Sequence, residues 1–221
     1  SAFEYIAQFG VQGSAEGQFT APAGAAFSRT GELWIADKNR SKIMLFDDSG
    51  TFVREWGEPG TDSSQLNNTY GIDVDPTGAI VLCEWNGSRI QKFDTSGNLL
   101  LIIDSSGAEI YDVSVDGQGN IYALMSSSGA NSVVKYDQTG TIITSWSVGA
   151  VYLNHGLLAR NGKVYCAGAS PSSSGNPYDD NFLEVFDTAG TFLDQFPIRQ
   201  TGETGVIHIR DLGIDASGRI Y

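Results

Sequence analysis

Two histidines, His155 and His208, are the only imidazoles in a chain of 221 residues. Asn154 precedes the first, and Arg210 and Asp211 follow the second within three positions. An imidazole oriented by a carboxylate can serve as a general base or a metal ligand, and a neighbouring arginine can hold an anion. No G-x-S-x-G elbow, HExxH pair or phosphate-binding loop accompanies them. The two cysteines, Cys83 and Cys166, sit in the apolar runs AIVLCE and KVYCAG with no CxxC or histidine neighbour, so they read as buried free thiols.

The elements that would position these residues follow from a repeat. The phrase FDDSGTFVREW at 46 returns as FDTSGNLLLI at 93, YDQTGTIITSW at 136 and FDTAGTFLDQF at 186. A second turn phrase, SRTG, DPTG, DGQG, ARNG and DASG, ends on Gly31, Gly78, Gly119, Gly162 and Gly218. Two markers that keep step at intervals of 41 to 56 residues specify a tandem structural unit. Between them the apolar residues alternate with period two, as in LWIAD, KIMLF and RIQKF, which is the strand pattern. Most of the turns read D-x-x-G: the aspartate side chain accepts from nearby backbone N–H groups and the glycine supplies a positive φ. Their carboxylates are therefore turn residues first. DVDPTG, with Asp73 and Asp75, lacks the further oxygen ligands of a calcium loop.

Four short strands per unit, repeated in tandem, predict an all-β fold, a β-propeller of four-stranded antiparallel blades. The expected blades cover 20–57, 68–104, 109–147 and 151–197, with a partial one at 206–221 and a closing strand at 3–10, all in a single domain over 1–221. The segments APAGAAFSRTGELWIADKNRSKIMLFDDSGTFVREWG and YGIDVDPTGAIVLCEWNGSRIQKFDTSGNLL are laid out, with some substitutions, on the pattern of a Pro-Gly strand, a D-x-x-G turn, an "AD"-type strand, an "R-I" strand and a final FD..G hairpin. In this they resemble NHL repeats. The resemblance implies a six-bladed ring closed by strands from both termini, so the chain is expected to be a fragment of a longer propeller. Open edges of such a fragment could self-associate. The same resemblance implies a scaffold that hosts binding proteins and enzymes alike.

Aligning the first strand of each blade on its turn glycine defines the entry of a central channel, where loops from all blades converge. One ring there is Gly24, Gly71, Asp112, His155 and Asp211; the residues just before form a second, Ala23, Tyr70, Tyr111, Asn154 and Arg210. With His208, the candidate ligand-binding set is Tyr70, Tyr111, Asp112, Asn154, His155, His208, Arg210 and Asp211. A second candidate is the Ser/Gly/Pro-rich insertion GASPSSSGNPYDDN at 168–181, where Tyr178, Asp179 and Asp180 could touch a partner. Trp34, Trp56 and Trp146 read as packing residues, while Trp85, just past a strand end, could stack on a ligand. Lys42 and Arg89 are expected to pair with Asp37 or Glu84.

Composition narrows the functions. The net charge is −13, from 26 acidic against 13 basic residues. Nucleic-acid binding depends on cations that displace counterions from phosphates, so nucleic acid is disfavoured as a partner. No apolar run is long enough to span a membrane. Charged residues are only 18% of the chain, and this acidic, Gly-rich, Lys-poor composition favours an extracellular or periplasmic setting. The expectation is a non-catalytic binding or sensor module for a protein, peptide or glycan, with no cofactor. The alternative is a lyase- or lactonase-type enzyme with zinc or calcium at the channel axis. The NHL-like lyases need several axial histidines, which two imidazoles supply poorly.

Overall fold

The computed structural model describes residues 10–85, 87–149, 152–170, 180–198, 212–214 and 220; side chains at 152–155, 170 and 180 are outside that description. The described residues are all-β, with no helix and hence no helix long and apolar enough to cross a membrane. Most of the expected closing strand at 3–10 and most of 206–221 lie outside the described residues. A short parallel pair, β1 (Val11–Gln12) and β2 (Gln18–Phe19), precedes the first blade and was not legible in the sequence.

Four antiparallel meanders follow. Blade one is β3 (Pro22–Phe27), β4 (Leu33–Asp37), β5 (Lys42–Phe46) and β6 (Phe52–Trp56). Blade two is β7 (Thr69–Val74), β8 (Ile80–Glu84), β9 (Arg89–Phe93) and β10 (Leu99–Asp104). Blade three is β11 (Glu109–Val115), β12 (Ile121–Ser127), β13 (Ala130–Tyr136) and β14 (Ile142–Ser147). Blade four is β15 (Tyr152–Arg160), β16 (Lys163–Ser170), β17 (Asp180–Asp187) and β18 (Phe192–Ile198). First strands of successive blades pack side by side, β3 on β7, β7 on β11 and β11 on β15, as a propeller requires.

The turns form for the reason their sequence gives. In each of Asp47, Asp75, Asp94, Asp116, Asp137 and Asp187, Oδ1 accepts the N–H groups two and four residues on. The fourth residue is a glycine at positive φ, for example +81° at Gly50 and +89° at Gly190. Where the aspartate is missing, a substitute appears: Ser28 Oγ accepts Glu32 N–H, and Asn161–Gly162 turn with both φ positive.

The core lies between blades more than within them. One cluster joins Trp34, Ile43 and Leu45 of blade one to Ile72, Val74, Ile80, Leu82 and Phe93 of blade two. A second joins Val81, Cys83, Ile90 and Ile103 of blade two to Ile110, Val113, Ile121 and Tyr136 of blade three. A third joins Tyr122, Leu124 and Val133 of blade three to Leu157, Val164, Cys166 and Phe186 of blade four. Burying one such large apolar side chain stabilises the fold by about 1.5–3 kcal/mol. Both cysteines are buried and free, as their apolar runs imply; burial pushes both thiols up.

The last strand of a blade carries a knob that rests on the next blade's turn glycine. A Cβ on Gly97 would lie 2.9 Å from the Trp56 ring, one on Gly140 2.9 Å from Ile103, and one on Gly190 2.5 Å from Trp146. Trp56 and Trp146 are thus packing residues, as expected, and Trp34 is buried in the blade-one core. The same last strands bulge at Val53, Leu100, Ile143 and Leu193, where one strand advances two residues against its partner's one. All four bulged side chains are exposed. A bulge twists an outer strand and blunts its edge against pairing with another chain.

Ion pairs depart from expectation at one point. Arg89 pairs with buried Glu84 at 2.7 Å, as expected. Lys42 instead reaches the Gly57 carbonyl and Glu58. Asp37 is already engaged by the N–H groups of Thr20, Ala21, Asn39 and Arg40 and by the Thr20 hydroxyl. Burial works to raise the Asp37 carboxyl, but these donors together hold it below the usual carboxylate range.

Candidate functional site

Strand direction sorts the loops onto two faces. First and third strands run one way, second and fourth the other. All the described D-x-x-G turns therefore fall on one face. The connections from second to third strand and from blade to blade fall on the other, the mouth face. Tyr70, Tyr111, Asn154 and His155 stand at the mouth end of their first strands. The 168–181 insertion joins β16 to β17, and its two ends pair there, Ser170 with Asp180. The topology thus places the described members of both candidate regions on one face. Tyr178 and Asp179 lie outside the described residues, as do His208, Arg210 and Asp211.

Every first strand bulges at the candidate ring. In β3 the register slips at Ala23, between Pro22↔Asp37 and Gly24↔Ala36. In β7 it slips across Tyr70 and Gly71, and in β11 at Tyr111. The widest is in β15, where Leu153↔Gly168 and Leu157↔Cys166 leave Asn154, His155 and Gly156 facing Ala167 alone. Bulges release a residue from ladder pairing and re-aim it, and they concentrate beside functional sites. The turn-glycine alignment found these positions without revealing why they differ from ordinary strand residues.

Below the mouth the first strands enclose a cavity of about 430 Å³, lined by Ala23, Gly24, Tyr70, Gly71, Asp73 and Asp112 among others. Its polar groups tie blade to blade. Asp73 Oδ2 accepts Ser114 Oγ at 2.9 Å and Val115 N–H at 2.7 Å. Asp112 Oδ2 accepts Leu157 N–H at 2.8 Å, and Oδ1 accepts Val113 N–H. Ser114 Oγ accepts Ala159 N–H, and Arg160 donates to the Val115 carbonyl while lying 3.6 Å from Asp73. Burial pushes the Asp73 carboxyl up, against the pull of Arg160 and its donors. Asp112, a member of the candidate ring, joins blade three to blade four. Asp73, Ser114 and Arg160, its companions, carried no local signal; their roles exist only across blade boundaries.

The mouth ring also explains two glycines. A Cβ on Gly24 would lie 2.4 Å from the Tyr70 carbonyl oxygen, and one on Gly71 would lie 2.2 Å from Asp112 Oδ1. These glycines permit the close approach of neighbouring first strands.

Above the struts lies a row of aromatic side chains. Tyr70 and Trp85 meet at 5.3 Å with ring planes at 87°, and Trp85 and Tyr111 at 6.2 Å and 42°. All three are half-buried. Lys38 Nζ sits 4.8 Å over the Tyr70 ring and donates to its hydroxyl at 3.1 Å. At the other end Tyr111 donates its hydroxyl to Glu109 at 2.9 Å. Burial, then the Glu109 hydrogen bond and charge, push the Tyr111 hydroxyl up to about 12, so it stays a donor. Tyr70 and Tyr111 were expected at the mouth. Lys38 and Glu109 were not singled out, although Lys38 aligns with Trp85 one residue past Asp37 and Glu84.

For zinc or calcium at the channel axis, the grouping of side chains is visible only for the described residues. Among them no three His, Cys, Asp or Glu side chains are grouped to hold a metal ion. The one described member of the expected ligand set, Asp112, accepts two backbone N–H groups. The described residues therefore do not form such a site, and the remaining proposed ligands are side chains outside the description.

The fold so defined is a β-propeller, and comparisons with known proteins agree. No protein-family model matches the chain. The B-box type zinc finger protein ncl-1 of Caenorhabditis elegans is 44% identical over 48 residues, 22% of this chain and 6% of that protein. The chain therefore spans a small part of this curated relative's length. Among solved structures, the Kuenenia stuttgartiensis hydrazine synthase superposes with a TM-score of 0.69 at 15% identity, over 98% of this chain and 58% of that one. A gluconolactonase from Xanthomonas campestris gives 0.65 at 16% identity, over 92% and 69%. A nidogen–laminin complex gives 0.60 at 14% identity, over 80% and 64%. The neighbours include enzymes and a binding module on one fold.

Proposed function

We propose that the chain is an NHL-type propeller, built on a six-bladed plan, that works as a non-catalytic binding module and holds a protein, peptide or glycan on its mouth face. The observation that carries this reading is a division of labour. The described polar groups in the channel are engaged in joining blades, whereas the mouth above them presents half-buried aromatic rings. Retention of peptides and glycans on mixed arrays tests it. Binding that survives chelation and is lost in a Lys38→Ala/Tyr70→Ala double variant is expected. Hydrolysis or elimination activity that disappears in His155→Ala would overturn it.

One feature favours a second reading, a metal-dependent lyase or lactonase. His155 stands in the widest bulge of the ring, with Asn154 beside it. Asp112, Asn154, His155 and Asp211 would be its first candidate ligands for zinc or calcium. Stoichiometric metal in elemental analysis of the purified protein would move the assignment to this reading.

A further inference from the structure

The channel has a second opening, on the turn face. One turn from each of the four blades borders it, through Ser28 and Arg29, Pro76, Gly117 and Asn161, and the space they enclose is about 400 Å³. Phe27 and Arg160 border both this opening and the cavity of about 430 Å³ behind it, so the two spaces adjoin. We propose that this end of the channel binds an amphipathic monocarboxylate, its carboxylate held by Arg29 and Arg160 and its apolar body laid along the channel wall. The site lies on the face opposite the mouth and does not depend on the mouth-face reading.

Two other arginines show what a filled guanidinium looks like in this protein. Arg40 donates to both carboxylate oxygens of Glu55 and to the Gln18 carbonyl. Arg89 donates to Glu84 and to the Thr61 and Gln65 carbonyls. Arg160 differs. Its side chain is only 38% exposed, yet it makes one hydrogen bond, to the Val115 carbonyl at 3.0 Å, while Asp73 stands off at 3.6 Å. A guanidinium has five N–H donors, and its planar fork matches a carboxylate. Among the described residues Arg29 has no hydrogen-bond or ion-pair partner, in a chain with 26 acidic residues.

The carboxylates on the lining are already occupied. Asp116 Oδ1 accepts the Gln118 and Asn120 N–H groups, and Oδ2 accepts the Asn120 side chain and the Tyr122 hydroxyl. Asp73 is filled in the same way by Val74, Ser114 and Val115. Two cations against two anions leave the passage near neutral, which suits a singly charged head better than a phosphate dianion. The body has its own wall: Phe27, 67% exposed, with Val74 and Pro76 at the opening, and Ile72, Val113 and Leu157 further in. Apolar walls with a few placed polar groups are the usual make-up of a small-molecule site.

Isothermal titration of the protein with octanoate is the test. Its controls are octanamide, which has the body without the charge, acetate, which has the charge without the body, and octyl phosphate. Saturable binding of octanoate, tighter than any control, is expected. Arg160→Gln should weaken it by about tenfold or more, as for the loss of a charge-assisted hydrogen bond. Arg160→Lys, which keeps the charge and lacks the fork, should weaken it less. Arg29→Gln breaks no contact among the described residues, so it should weaken octanoate by about threefold with the melting temperature unchanged. It also decides the matter if the Arg160 variants misfold. Absence of octanoate binding, equal affinity for octanamide, or unchanged affinity in Arg29→Gln and in a folded Arg160→Gln protein overturns the inference. Tighter binding of octyl phosphate overturns the carboxylate assignment, and acetate binding as tightly as octanoate overturns the apolar half of the site.

Discussion

The two faces of this propeller follow opposite rules. On the turn face the same device recurs: six aspartates accept the same two backbone N–H groups, and the glycines that follow take the same positive φ. On the mouth face the backbone irregularity recurs but its residues differ. Each first strand bulges, yet the bulged residues are Ala23, Tyr70 with Gly71, Tyr111, and the run Asn154–Gly156. A turn is a local problem with one good chemical solution, so every blade adopts it. The mouth residues are released from the ladder, so no single backbone requirement fixes their identities.

The comparison is broken most severely at the contact between neighbouring first strands. Gly71→Ala would put a methyl group against the Asp112 carboxylate and the Val113 amide. The expected loss is about 3 kcal/mol, since backbone on one side leaves little room to relax. Denaturant unfolding measures it; a loss near zero would mean that the mouth tolerates rearrangement of its struts.

Two turn glycines separate conformation from packing. Gly78 and Gly190 have φ of +91° and +89°. A Cβ on Gly78 meets nothing within 4 Å, but one on Gly190 meets Trp146. Gly78→Ala should cost about 1 kcal/mol, the conformational term alone. Gly190→Ala should cost about 2 kcal/mol more from overpacking. Equal costs would show that the knob-on-turn contact between blades contributes nothing.

Acid should act mainly through the turn face. Side-chain hydrogen bonds from Ser49, Asn98 and Thr139, and the Thr191 backbone N–H, lead in holding Asp47, Asp94, Asp137 and Asp187 below the usual range. Carboxyls depressed in the folded state stabilise it above their unfolded value of about 3.9, and this is lost as pH falls through their folded values. Asp73 runs the other way: burial raises it, so its penalty grows as pH rises and is relieved by acid. The melting temperature should fall below about pH 4. With all four turn aspartates changed to asparagine, the melting temperature at neutral pH should be lower and the acid fall shallower. An unchanged acid profile would move the effect elsewhere.

The smallest stability effect belongs to the mouth rim. Tyr111→Phe removes one exposed hydrogen bond to Glu109. It should cost about 0.5 kcal/mol, near the lower end for a hydrogen bond. A larger loss would mark the aromatic row as structural rather than ligand-facing.

Much of this was legible in the chain itself. The strands of each repeat fall where LWIAD, KIMLF and RIQKF place them, because short apolar strand runs and aspartate–glycine turns are written within a few neighbouring residues. The Arg89–Glu84 pair was legible for the same reason, lying across adjacent strands of one hairpin. Lys42 was misplaced because the ligands of Asp37 come from Thr20 and Ala21, outside that hairpin. Only the tertiary structure decided that Asp112 joins blades three and four, and that Trp146 rests on Gly190. It alone decided that Lys38, Tyr70, Trp85, Tyr111 and Glu109 form one row. Those contacts join residues from different blades, and their geometry is set by how sheets stack around an axis, a quantity that no local run of sequence encodes.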